Sequence, residues 1–375
     1  MIFLLSILAG ALYCGLIVFL LKAWEEIIPE DIPTDFHAAH FVSILVVGRN
    51  ESENIQACLS SILENTFEKT GYEIIFIDDH STDDTIEKIE ELEITNLQII
   101  HLSDHVQEKI NAFKKAAIKI GIEKSKGNLI LMTDADCIVP EDWIQRTCFN
   151  FQSNEINFQT APVTFSPIYK FLHWFQELDI IAMMATTNAG IRTGRWFLAN
   201  GANLAFLKKE LPENYFQESD KFASGDDVFL INEFAQANPK KVHFEKQMTV
   251  KTKPQTTIDD FFQQRIRWAG KNKILVKGKM STALLIPVLF YLWCFVLLIL
   301  SFTGNQIAFW ILLCIFLIKI LLDHALLQFV HKDLSNHPKM KFFLSSSLIY
   351  PFYFLGIGFF SLLKTNYQWK GRKVK

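Results

Sequence analysis

Apolar residues collect at the two ends of this chain, and that segregation excludes a single soluble globule. Residues 1–21 carry no charge before Lys22, and three further apolar runs cover 284–302, 307–327 and 342–363. A helix needs about 20 apolar residues to cross the hydrocarbon core of a bilayer, so each run is long enough. A cleavable leader is the competing reading of the first run. It lacks a basic start and a small-x-small cleavage site, so it is expected to stay as an anchor. Half of the 375 residues are hydrophobic and 34 are Phe, yet 21% are charged. Those charges concentrate in the middle, which therefore has to fold in water. The expected division is an anchor at 1–22, a soluble domain with interfacial helices at 40–280, a membrane region at 283–363 and a basic tail at 364–375.

Flanking basic residues orient such a chain, because they favour the cytoplasmic side. Arg265, Arg267, Lys271, Lys273, Lys277 and Lys279 precede the second run, and Lys332, Lys339 and Lys341 separate the third from the fourth. The link between the second and third runs is uncharged. Residues 22–283 are thus expected in the cytoplasm. The tail, with Lys364, Lys370, Arg372, Lys373 and Lys375, breaks this pattern if the fourth run crosses. Pro351, Gly356 and Gly358 would instead permit a broken, re-entrant hairpin, and both readings stay open. Lys319 and Asp323 stand at i,i+4 inside the third run. They read either as a functional intramembrane pair or as a self-neutralising pair whose lysine snorkels. The net charge of -3 offers no general attraction to nucleic acid. The six cysteines show no CxxC or metal-finger spacing and read as reduced, buried small hydrophobes.

Strand and helix patterns alternate through the soluble middle. Strands are expected at 42–47, 73–77, 97–102 and 128–132, with helices at 50–63, 83–92 and 107–124. This order predicts an α/β fold with a mostly parallel, doubly wound sheet, whose ligands bind beyond the carboxyl ends of the strands. Polar residues stand at those ends: Arg49, Asn50 and Glu51, then Asp78 and Asp79, then Asp134 and Asp136. Helix capping is the alternative use for an aspartate after a strand, and Asp83 suits it. Two carboxylates one residue apart, as in Asp134-Ala135-Asp136, suit Mg2+ or Mn2+, which can also hold phosphate oxygens. Lys109, at the start of the third helix, either adds a point charge for those phosphates or is an ordinary surface lysine. Residues 167–185 carry a broad apolar helical face, fit for packing on the sheet or for lying on the membrane.

Five segments, taken together and in this order, resemble the family 2 glycosyltransferases. They are Val46-Val47-Gly48-Arg49-Asn50-Glu51, Ile77-Asp78-Asp79-His80-Ser81, Asp134-Ala135-Asp136, Gly225-Asp226-Asp227 and Gln264-Arg265-Ile266-Arg267-Trp268. The resemblance implies a GT-A fold, a Rossmann-like mostly parallel sheet, with transmembrane helices at both ends. It further implies that Asp79, helped by Arg49 and Glu51, contacts the nucleoside of a nucleotide sugar. Asp134 and Asp136 resemble the DxD pair that holds metal and diphosphate. Asp227 matches the general base, next to Asp226 where glutamate is usual. Gln264, Arg267 and Trp268 match the QxxRW motif that closes over the diphosphate, and Gly201 and Asn203 resemble the turn beside the sugar. One base without a second carboxylate nucleophile fits a single displacement with inversion.

The QxxRW motif occurs in processive polysaccharide synthases and in single-addition enzymes resembling ceramide glucosyltransferase. Three C-terminal apolar runs are few for a polymer channel. A UDP-sugar donor and a lipid or lipid-linked acceptor at a bacterial cytoplasmic membrane are therefore the expectation. Processive synthesis with partner subunits is the alternative, and a degenerate membrane-tethered scaffold would be expected to lack one of the motifs.

Overall fold

The computed structural model describes residues 2–28, 30–106, 112–212, 215, 225–275, 280–335, 340–363, 367–369 and 372–374. In chain order, α1 (Ile2–Glu25) precedes β1 (Val42–Gly48), α2 (Ile55–Leu63), β2 (Tyr72–Asp78), α3 (Thr85–Glu90), β3 (Leu97–His101), α4 (Phe113–Lys124) and β4 (Leu129–Asp134). Next come β5 (Cys137–Ile138), α5 (Trp143–Ser153), β6 (Phe158–Thr160), β7 (Val163–Phe165), α6 (Phe171–Thr193), β8 (Leu204–Leu207) and α7 (Asp226–Ala237). β9 (Val242–Phe244) and β10 (Val250–Thr252) lead into α8 (Ile258–Leu275), α9 (Met280–Phe302), α10 (Gln306–Leu334) and α11 (Phe343–Leu363). A ribbon of β11 (Tyr367–Trp369) and β12 (Arg372–Val374) follows. Two compact units result: Met1–Ile28, Ile168–Trp196 and Gln255–Thr365 form one, and Pro29–Pro167, Phe197–Pro254 and Asn366–Lys375 the other.

The second unit is built on a seven-stranded sheet in the order β3-β2-β1-β4-β8-β6-β9. β1 pairs in parallel with both β2 and β4, and β2 with β3. β8 enters antiparallel between β4 and β6, while β6 and β9 run parallel. The sheet is thus mostly parallel, with a mixed edge. Every residue of β1 and β2 is buried, which is why their apolar runs are nearly continuous. From α2, Ile55, Cys58, Leu59 and Ile62 pack onto that sheet. A small second sheet, β5-β10-β7, lies beside it.

The helices start later than the sequence pattern suggests. α2 begins at Ile55 and not at residue 50, because Asn50 takes a left-handed φ of 52° that a helix cannot continue. α4 begins at Phe113; Lys109 lies outside the described residues. Asp83 does not occupy the N-cap position of α3, which Asp84 holds. Its carboxylate instead accepts from the Thr85 and Ser52 N–H groups and ties the two turns together.

In the first unit, α1, α9, α10 and α11 are each long and apolar enough to cross a bilayer, as befits a membrane protein. Tyr13 of α1 stacks on Phe290 of α9 at 4.3 Å, and Trp24 Nε1 donates to Asp333 of α10 at 2.9 Å. The fourth apolar run is one helix with Pro351 inside it, so no broken hairpin forms. Lys319 does not snorkel: it is 1% exposed. Its ammonium contacts Asp323 at 3.0 Å and donates to the Ser347 hydroxyl at 2.7 Å. α6 belongs to this unit, with Asn188 donating to the Ala23 carbonyl at 2.9 Å.

All six cysteines are free thiols. Cys58, Cys137, Cys148 and Cys294 are buried, and burial pushes the Cys148 thiol up to about 12. Cys314 departs from the expected burial, since it is exposed on the apolar surface of α10.

Asn203 ties the two sheets together. Its Oδ1 accepts from Trp143 Nε1 at 3.0 Å, and its Nδ2 donates to the Met248 and Pro162 carbonyls at 2.6 and 2.9 Å. Each buried polar group left without a partner costs about 1–3 kcal/mol. Asn203→Ala orphans three, and is expected to lower the melting temperature by several degrees in a fluorescence melt of the detergent-solubilised protein. An unchanged melt would show that the amide holds nothing together.

Candidate active site

Strand register alone brings the first acids to one edge. Gly48 pairs with Asp78, and Val47 with Asp134, so β1, β2 and β4 all end at the same level. β8 runs the other way, with Leu204 opposite Met132, so the turn holding Gly201 arrives at that edge from its amino side. α7 follows Gly225, whose φ of 96° is natural for glycine. That turn puts Asp226 and Asp227 in the first helical turn, where the helix dipole favours negative charge.

The first two loops interlock. Arg49 Nη1 donates to the carbonyls of Asp79 and His80, both at 2.9 Å. The Glu51 N–H donates to Thr85 Oγ1 at 2.8 Å, and Glu51 Oε2 accepts from Asn54 at 2.8 Å. Asp79 is fully buried, with His80 Nδ1 at 2.9 Å from its Oδ1. His80 stands edge-on to Phe113 at 5.4 Å. Arg49, Glu51 and Asp79 thus form one braced corner at the β1 and β2 ends. Among the described contacts, Arg49 braces this corner through backbone carbonyls.

Lys114 is the residue that sequence reasoning missed. Its Nζ lies 2.7 Å from Asp134 Oδ1 and 3.8 Å from Asp226 Oδ2. Burial opposes its charge, but Asp134 and Asp226 outweigh burial and raise its pKa above the ordinary lysine value. A cation with a raised pKa keeps its charge below that value, so the pair is intact throughout the neutral range. The available signal was helical phase: α4 opens one residue before Lys114, near the carboxyl edge of β1 and β4.

Gly201 marks the centre of the cluster. Its N–H donates to Asp227 Oδ2 at 3.3 Å, and a Cβ there would stand 3.6 Å from both Lys114 Nζ and Asp226 Oδ2. Lys114, Asp134, Asp226, Asp227 and Gly201 therefore converge, although they come from four separate segments. Asn203, expected beside the donor sugar, is 1% exposed, and its amide is committed to Trp143, Pro162 and Met248.

Among the described residues no cluster of three or more acidic, histidine or cysteine side chains is arranged to hold a metal by itself. Asp134 and Asp136 nevertheless fit a hard cation that takes its remaining oxygens from a diphosphate, the usual habit of Mg2+.

Gln264, Arg267 and Trp268 are on α8, in the first unit. Between them, Arg265 is 3% exposed and pairs with Asp179 of α6 at 2.9 Å. Its guanidinium lies 4.4 Å from the Trp268 ring and 5.1 Å from Phe261, which holds the tryptophan against the helix.

Known proteins resemble this chain in sequence and in fold. Residues 129–326 match the description "Glycosyl transferase family group 2", and residues 43–170 match "Glycosyl transferase family 2". Glycosyltransferase AglE of Haloferax volcanii is 34% identical over 108 residues, 28% of this chain and 34% of that one. The poly-beta-1,6-N-acetyl-D-glucosamine synthase of Staphylococcus epidermidis is 24% identical over 247 residues, 64% of this chain and 57% of that one. The chain thus spans about a third to a little over half of the length of these relatives. Among solved structures, the mannosyltransferase PcManGT from Pyrobaculum calidifontis, in complex with GDP-Man and Mn2+, is similar in fold. Its TM-score is 0.60 at 13% identity, covering 94% of this chain and 99% of that one.

The Lys114 contacts can be tested directly. Lys114→Met leaves the carboxylates of Asp134 and Asp226 without their shared cation, and a half-buried pair of this kind is worth about 1 kcal/mol. The variant is expected to melt lower than wild type and to gain more from added Mn2+. Equal Mn2+ shifts in the two melts would remove Lys114 from the site.

Proposed function

Because the chain belongs to the family 2 glycosyltransferases, we propose that it moves one sugar, with inversion, from a UDP-sugar to a lipid or lipid-linked acceptor. The reaction takes place on the cytoplasmic side of a bacterial cytoplasmic membrane. The observation that carries this reading is the convergence of Asp134, Asp226 and Asp227 on Lys114 and Gly201. Such a cluster can hold cationic and phosphate groups on one side and take a proton on the other.

In this reading Asp227 is the general base. It removes the proton of the acceptor hydroxyl as that oxygen attacks the anomeric carbon, and Asp226 supports it from the same helical turn. Asp134 and Asp136 would hold Mg2+ or Mn2+, which when bound would supply Lewis acidity to the diphosphate. Lys114 stands where it can transfer its contact from Asp134 to phosphate oxygens and help neutralise the departing nucleotide. Arg49, Glu51 and Asp79 form the nucleoside end, and Gly201 leaves room for the sugar. Gln264, Arg267 and Trp268 are assigned to the diphosphate on the resemblance to the QxxRW motif alone. The Mn2+ and GDP-Man of PcManGT support a divalent metal and a nucleotide sugar as a class; uridine as the base is our assignment.

A processive synthase is the second reading. The similarity to the Staphylococcus epidermidis polymer synthase over 64% of this chain favours it. Membranes incubated with radiolabelled UDP-sugar separate the two. A single organic-extractable product is expected, and a ladder or high-mass product would overturn transfer to lipid. Asp227→Asn is expected to lower kcat by about 10²–10⁴-fold while UDP still binds with wild-type affinity. Full turnover in that variant would remove Asp227 as the base.

A further inference from the structure

One line of residues along α2 is polar although it is buried. Cys58 and Ser61 share a face of the helix at i,i+3, and Asn65 continues the line just past its end. All three are bonded to the stretch of chain that runs from Asp134 into α5. The Cys58 thiol donates to the Asp134 carbonyl at 3.6 Å, and its sulfur accepts from the Cys137 N–H. Ser61 Oγ accepts from the Val139 N–H at 3.1 Å. Asn65 donates to the Pro140 carbonyl at 3.1 Å and accepts from the Ile144 N–H at 3.0 Å. The Thr66 N–H ends the series on the Glu141 carbonyl at 2.9 Å.

That stretch passes from one sheet to the other. Asp134 is the last residue of β4 and pairs with Val47 in the large sheet, whereas Cys137 opens β5 and pairs with Thr252 in the small one. Ala135 and Asp136 form the turn between them. Ala135, Cys137 and Val139 are buried in the same core cluster as Cys58, while Asp134 and Asp136 keep partial exposure. The Cys137 thiol also donates to Asp136 Oδ1 at 3.5 Å. The Asp134 carbonyl and the Cys137 N–H are the first acceptor and last donor of the four-residue turn, the groups whose spacing defines a β-turn. One sulfur, carried on a helix, touches both.

We propose that Cys58 is a positioning residue for Asp134 and Asp136. Its sulfur sets the width of the turn, and with it the separation of the two carboxylates that face a divalent cation. Ser61 and Asn65 hold the segment that follows. Partners that orient metal ligands without touching the metal change its affinity about 10–100-fold when removed. A thiol is a weak donor, which places Cys58 at the lower end of that range. The inference rests on the proposed assignment of Asp134 and Asp136 to Mg2+ or Mn2+; the contacts of Cys58 do not.

Mn2+ binding to the full-length, detergent-solubilised protein with UDP present, followed by loss of the free-ion EPR signal, tests this without turnover. Cys58→Ala removes both bonds and is expected to weaken Mn2+ binding about 10-fold. Cys58→Ser, whose hydroxyl donates and accepts from the same position, is expected to restore most of that loss. Ser61→Ala frees only the Val139 N–H and is expected to weaken binding in the same direction, so it decides the matter if Cys58→Ala does not fold. Lower melting temperatures with wild-type Mn2+ affinity would make these residues packing alone and overturn the proposal. A serine variant that binds no better than the alanine variant would overturn it too. Asp136→Asn is expected to lose Mn2+ binding altogether; wild-type affinity there would sink the metal assignment itself, and the proposal with it.

Discussion

β1 is hydrogen-bonded on both sides and buried on both faces, and the placement of the site follows from that constraint. Parallel partners in register must end together, so the loops after β1, β2 and β4 leave the sheet at one edge. Acidic side chains on such loops are forced into proximity, where like charges repel. Lys114 offsets that repulsion between Asp134 and Asp226, and the first turn of α7 favours the charges of Asp226 and Asp227.

The membrane unit answers a different constraint. Polar groups in apolar surroundings must find partners within the protein. Lys319 does so with Asp323 and Ser347, Asp323 with Tyr13, and Arg265 with Asp179. Each set joins different helices, so each fixes a register that apolar packing alone would leave loosely specified. A buried ion pair is weak evidence for stability, but it penalises every arrangement that separates its members.

α8 joins the two themes. Gln264, Arg267 and Trp268 carry the QxxRW pattern, while Arg265 in the same helical turn is locked to α6 and, through Asp179, to the tyrosines of α11. The motif is therefore mounted on a fixed deck of three helices.

The sequence by itself determined the α/β class, the order of the first four strands and the four apolar helices, because those depend on local periodicity. The start of α2 was illegible, since Asn50 adopts a left-handed turn that periodicity does not register. Lys114 went unnoticed because its partners come from β4 and α7, far away in the chain. Asn203 was misread for the converse reason: its motif suggested a ligand, while the packing of α5, β8 and β10 claimed its amide. Long-range pairing of charges and amides is a property of the folded chain, and only the tertiary structure decided it.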